Sequence, residues 1–71
     1  MKTITTKKMT RVENTDAEMA EKGIVAFQMV EFVINFFGNE ITTTHDTRIM
    51  RDGRQFVIGG CGFIPHDYEV A

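Results

Sequence analysis

Between Gly23 and Gly38 runs IVAFQMVEFVINFF, in which only Gln28, Glu31 and Asn35 are polar. Laid out at 100° per residue, those three occupy a stripe of roughly 60°, and the apolar residues from Val25 to Phe37 fill an arc of roughly 220°, about twice what a surface helix needs. A chain of 71 residues has little other mass with which to cover such an arc. The pattern predicts an association surface, most simply with a second copy of the chain, and it predicts no chemistry.

The spacing supports a helix over about 15–37. Asn14 or Thr15 suits its N-cap, Thr15 and Glu18 match a capping box, and Asp16, Glu18 and Glu21 complement the positive end. Gly38-Asn39 suits a left-handed C-cap, and Gly23 costs about 1 kcal/mol in the interior relative to alanine. Val25, Val30, Val33 and Ile34 are mediocre helix formers, so packing must hold the helix. The competing reading is a helix over 16–22 and a strand over 24–36. Such a strand is unusually long and carries Phe and Val on both faces, which favours the long helix.

Composition asks for a sheet as well. There is no serine and no leucine, against nine threonines and thirteen isoleucines plus valines. These β-branched types suit pleated surfaces. Residues 2–12, KTITTKKMTRV, read as a strand whose Lys7 and Lys8 suit a sheet edge. Residues 40–51 and 54–64 flank Asp52-Gly53, the sequence of a two-residue type I′ hairpin turn. That turn pairs Arg51 with Arg54, Ile49 with Phe56, Thr47 with Ile58 and Ile41 with Ile64. It gathers Ile41, Thr43, His45, Thr47, Ile49, Phe56, Ile58 and Ile64 on the face that meets the helix. Pro65 ends the second strand, and 65–71 is a tail. The expected fold is a single α+β domain, β-α-β-β, one long helix packed on a three-stranded sheet, the first strand parallel to the second.

A domain this small usually draws stability from disulfides, a metal or oligomerisation. Cys61 is the only cysteine, which excludes an internal disulfide and fits a reducing cytosol. The basic start is followed by neither an apolar stretch nor a small-residue cleavage site. The Ile24–Phe37 run, interrupted by Glu31, is too short for a bilayer of about 30 Å. A cytoplasmic protein with no membrane contact is expected, homo-oligomeric and most simply dimeric. Phe27, Val30, Ile34 and Phe37 are the candidate self-association residues.

Catalytic residues, metal ligands and cofactors are all expected to be absent. Lack of serine removes one nucleophile. Cys61 and His45 project from opposite faces of the inferred hairpin and should not meet. His45-Asp46 cannot act as a dyad, because neighbours in a strand point apart. His45, Cys61 and His66 lack zinc-ligand spacing. Gly59-Gly60-Cys61-Gly62 is followed by a proline and not by a helix, so it is no phosphate loop and reads as a bulge or close approach. Met1, Met9, Met19, Met29 and Met50 are spread over the chain and read as gap-filling core or as part of an adaptable binding surface, with core the better reading for Met29.

The polar feature with most content is basic. Arg48, Arg51 and Arg54 cluster near the hairpin tip, and Lys7, Lys8 and Arg11 lie on the first strand. They form a candidate partner-binding surface. A protein target is the first expectation, giving a small modulator or inhibitor similar in general form to accessory factors of phages and mobile elements. A β-ribbon nucleic-acid binder is the second, weakened by a net charge of −2 and the lack of aromatic residues among the basic ones.

Overall fold

The computed structural model describes residues 2–71, and they form one antiparallel meander. Strand β1 (Lys2–Glu13), helix α1 (Ala17–Glu21), β2 (Ile24–Phe36), β3 (Asn39–Met50) and β4 (Gln55–Ile58) follow in chain order. The sheet order is β1-β2-β3-β4, every neighbour antiparallel. The long helix on a three-stranded sheet does not form, nor does the parallel crossover.

The apolar run becomes β2 because its residues have what a strand needs. Val25, Val30, Val33, Ile24 and Ile34 lose χ1 freedom in a helix and none of consequence in a pleat. Its thirteen residues find neighbours of twelve on both sides, so the backbone of a long strand is hydrogen-bonded along its length. The apparent objection, apolar residues on both faces, is met by burying one set only. Ala26, Val30, Phe32 and Ile34 are fully buried, whereas Phe27 and Val33 are half-buried and Met29 is exposed.

Helix α1 is a five-residue connector. Its cap is Asp16, whose Oδ1 accepts the Glu18 N–H at 2.8 Å, and not Asn14 or Thr15. Asn14 instead braces the connector, donating through Nδ2 to the carbonyls of Asp16 and Ile24. Gly23 adopts φ +87°, the left-handed turn that stops the helix and starts β2.

The β3–β4 loop is one residue longer than a type I′ turn. Met50 N–H donates to Arg54 O at 2.7 Å, and Gly53 N–H to Met50 O at 2.9 Å. Arg51, Asp52 and Gly53 thus form a three-residue loop with Gly53 at φ +92°, the geometry that ends a type I turn in a bulge. The register slips by one: Ile49 faces Gln55, Arg48 faces Phe56, Thr47 faces Val57 and Asp46 faces Ile58. Gln55 and Val57 therefore go inside, and Phe56 and Ile58 to the opposite face. The type I′ turn lies at Phe37-Gly38, with φ +50° and +80°, joining β2 to β3.

What covers the sheet is the C-terminal segment. Val57 N–H donates to Tyr68 O, Asp67 N–H to Val57 O and Val70 N–H to Gln55 O, so residues 67–70 line the edge of β4. Ile64 and Val70 are buried against Val30, Phe32, Ile34 and Val57, with Ile4, Ile41, Phe63 and Tyr68 around them. The segment read as a tail, 65–71, thus supplies Val70 and Tyr68 to the core, and Ile64, read as the end of a strand, joins them.

Candidate functional site

The arginine cluster does not assemble as a free basic surface. Arg48 Nη2 contacts Asp67 Oδ1 at 2.6 Å, and Arg54 holds Glu69 through two hydrogen bonds of 2.8 and 3.3 Å. Both guanidinium carbons also lie over the Phe56 ring, 5.2 and 5.1 Å from its centre. The guanidinium of Arg54 holds the Glu69 carboxyl below its ordinary value, and that of Arg48 does the same for Asp67. These residues clamp the C-terminal segment. Arg51 stays exposed in the loop.

On β1, Lys7 stands opposite Glu31 and Lys8 opposite Val30, so the two lysines point to opposite faces. Arg11 is joined to Glu13. The pairing with β2 is irregular between Lys8 and Arg11. A bulge and lysines on an outer strand both discourage further strand addition.

Cys61 and His45 do meet, against expectation. Strand β4 ends at Ile58, and Gly59, at φ +67°, turns the chain back over the sheet. Cys61 Sγ then lies 3.8 Å from His45 Nε2. The same nitrogen contacts Thr43 Oγ1 at 3.1 Å. Cys61 and Thr43 thus share Nε2, whereas in a dyad of the usual kind the orienting group sits on the other ring nitrogen. Gly60 is required there: a Cβ would sit 2.3 Å from Ile64 O and 2.4 Å from His66 N. Among the described residues no group of three metal-ligating side chains converges.

The four candidate association residues are separated. Val30 and Ile34 are wholly inside the core, Phe27 lies on the opposite face of β2, and Phe37 is 74% exposed at the turn. Phe37 packs edge-on to Phe36 with ring centres 4.5 Å apart, and Phe36 reaches Phe63 at 6.0 Å. Lys2 Nζ lies 5.8 Å from the centre of the Phe63 ring. The end of the β2–β3 hairpin is thus an aromatic knob anchored to the core through Phe63.

No family model, curated protein or solved structure matches this chain. The knob must therefore be judged on its geometry. Sequence reasoning missed it because it placed Gly38-Asn39 after a helix. A hairpin reading of Phe37-Gly38 would have exposed the anomaly, a phenylalanine where asparagine or aspartate is normal. No helix among the described residues is long and apolar enough to cross a membrane.

Proposed function

We propose that this protein is a non-catalytic protein-binding modulator that grips its target with the Phe36–Phe37 end of the β2–β3 hairpin. One observation carries the reading. Phe37 is held at φ +50° with three-quarters of its surface in solvent. Left-handed backbone costs an ordinary residue about 1–2 kcal/mol, and an exposed ring returns little of it through burial. Strain kept at an exposed aromatic is the mark of a residue used for something other than folding. Large aromatic anchors dominate protein interfaces.

The arginine clamps weigh against the nucleic-acid alternative, since Arg48 and Arg54 are already neutralised by Asp67 and Glu69. The unpaired, exposed Cys61 fits a reducing compartment such as the cytoplasm.

The test is capture from a host lysate by tagged wild-type protein and by Phe37→Asn. The wild type retains one dominant protein and the variant does not, although the variant is the more stable of the two. Equal retention by both removes the knob from the account. Retention of nucleic acid in place of protein, lost steeply with added salt, favours the alternative.

A further inference from the structure

A strand edge is a template for pairing with another chain unless something blocks it, and this sheet leaves one such edge unblocked. The outer side of β1 carries Lys7 and Lys8 and an irregular stretch between Lys8 and Arg11. The outer side of β4 is taken by residues 67–70, which bond to Gln55 and Val57. The remaining edge belongs to β3. Strand β4 pairs only with residues 46–49, so residues 39–45 have β2 on one side and no strand on the other. They read NEITTTH, with no lysine, arginine, proline or glycine. Their pairing with β2 runs without a bulge to the turn at Phe37-Gly38.

The alternation of an antiparallel ladder says which backbone groups are free. Val57 turns its N–H and C=O to the C-terminal segment, which leaves Phe56 and Ile58 to bond Arg48 and Asp46 of β3. Met50 N–H points the same way, to Arg54 O. Counting on in steps of two, Thr44, Thr42 and Glu40 turn their N–H and C=O outward on this side. Among the described residues none of them meets a backbone partner there, and all three are exposed.

We infer that this open edge of β3 pairs with the same edge of a second copy, antiparallel about a two-fold axis at Thr42. The register sets Thr42 opposite the partner's Thr42 and Glu40 opposite the partner's Thr44. It uses every outward-facing residue of the open length, and each of those pairs exchanges two N–H···O bonds. Threonine faces threonine at the axis, a favourable cross-strand pair, and no like charges are opposed. The slot also selects its occupant by length. It is closed at one end by Ile58, opposite Asp46, and at the other by the turn after Phe36. A second β3 edge has the same length between the same two stops, so a slip in either direction loses bonds or meets β4. The pairing joins two four-stranded sheets into one and closes the edge that lysine and the C-terminal segment leave open.

Sedimentation equilibrium of the full chain at high micromolar concentration tests this. The wild type has twice the protomer mass of 8.1 kDa. Thr42→Lys and Thr42→Glu each set two like charges face to face at the axis and return the mass to one protomer. An equimolar mixture of the two variants sets lysine against glutamate and restores the doubled mass. Amide exchange on the wild type decides the matter if either variant fails to fold. The N–H groups of Glu40, Thr42 and Thr44 face water in a lone protomer, and they gain about tenfold protection as the concentration rises from low to high micromolar. A wild-type chain at 8.1 kDa overturns the inference. So do folded variants that each keep the doubled mass, a mixture that stays at one protomer, or amides at these positions whose exchange ignores concentration.

Discussion

The Nε2 amide of Gln55 on β4 donates at 2.9 Å to the Oε1 of Gln28 on β2, across the intervening strand. It also donates to Thr47 Oγ1 at 2.7 Å, and Thr47 Oγ1 donates to Gln28 O at 2.6 Å. Gln28 Nε2 continues the line to Met9 O on β1 at 2.7 Å. One polar chain thus crosses all four strands, and among the described residues no buried side-chain polar atom is left without a partner. A slip of one residue at β4 would point Phe56 into this site and break the chain, so the network holds the register.

Thr47→Val tests that role. It removes the hydroxyl that Gln55 and Gln28 share and leaves two buried groups short of a partner. We expect a loss of about 1–3 kcal/mol in urea unfolding, with Thr47→Ser keeping most of it. A Val variant as stable as wild type would remove the network from the account of the register.

Phe37→Asn should raise stability by about 1 kcal/mol, since asparagine tolerates the left-handed turn position that phenylalanine resists. The urea midpoint reports it. A lower midpoint would mean that the aromatic knob is built for folding.

How much of this was legible in the chain depends on where two signals agreed. Threonine, isoleucine and valine content announced the sheet, and Asp52-Gly53 announced a turn. Gly53 alone could not say whether two or three residues form that turn, and the single extra residue exchanged Phe56 and Ile58 for Gln55 and Val57 inside. The Ile24–Phe36 run fits both a wide helix and a two-faced strand, because odd and even positions are both apolar. Its β-branched residues were the deciding evidence and were outweighed by its length. Ile64 was legible as a core residue but was placed in a strand opposite Ile41, and Val70 and Tyr68, in a segment read as a tail, gave no periodic signal of the cover they form. The knob was hidden by the same misreading that made Gly38 a helix cap.

Gly60→Ala should cost about 1–3 kcal/mol, the range of an overpacked site, because the new methyl meets backbone atoms of Ile64, Pro65 and His66 within 2.4 Å. Gly62→Ala, with nothing within 4 Å, should change stability by less than about 0.5 kcal/mol. Thermal unfolding of the pair reports whether the 59–62 loop holds the C-terminal cover in place. Equal effects would deny it.

The clamps make the cover sensitive to acid. Asp67 and Glu69 titrate below their ordinary values of 3.8 and 4.5 because each is hydrogen-bonded to a guanidinium. Their contribution is present above those ordinary values and is lost as the pH falls through the depressed ones. Amide exchange at Val57 and Val70, whose N–H groups bond across this edge, should therefore quicken as pH drops below about 4, after correction for intrinsic rates. Arg54→Gln should bring part of that quickening to neutral pH. Uniform protection through the acid range would contradict the clamp.

Lysine at two adjacent positions of β2 tests the central claim, that this run is a strand with one buried and one open side. Met29→Lys should unfold cooperatively in a thermal melt, because its side chain already meets solvent. Val30→Lys should abolish the folded state, because a buried unpaired charge costs more than a domain of this size has to lose. Two variants equally tolerated, or equally destroyed, would contradict the strand and return the run to the broad apolar arc of a helix.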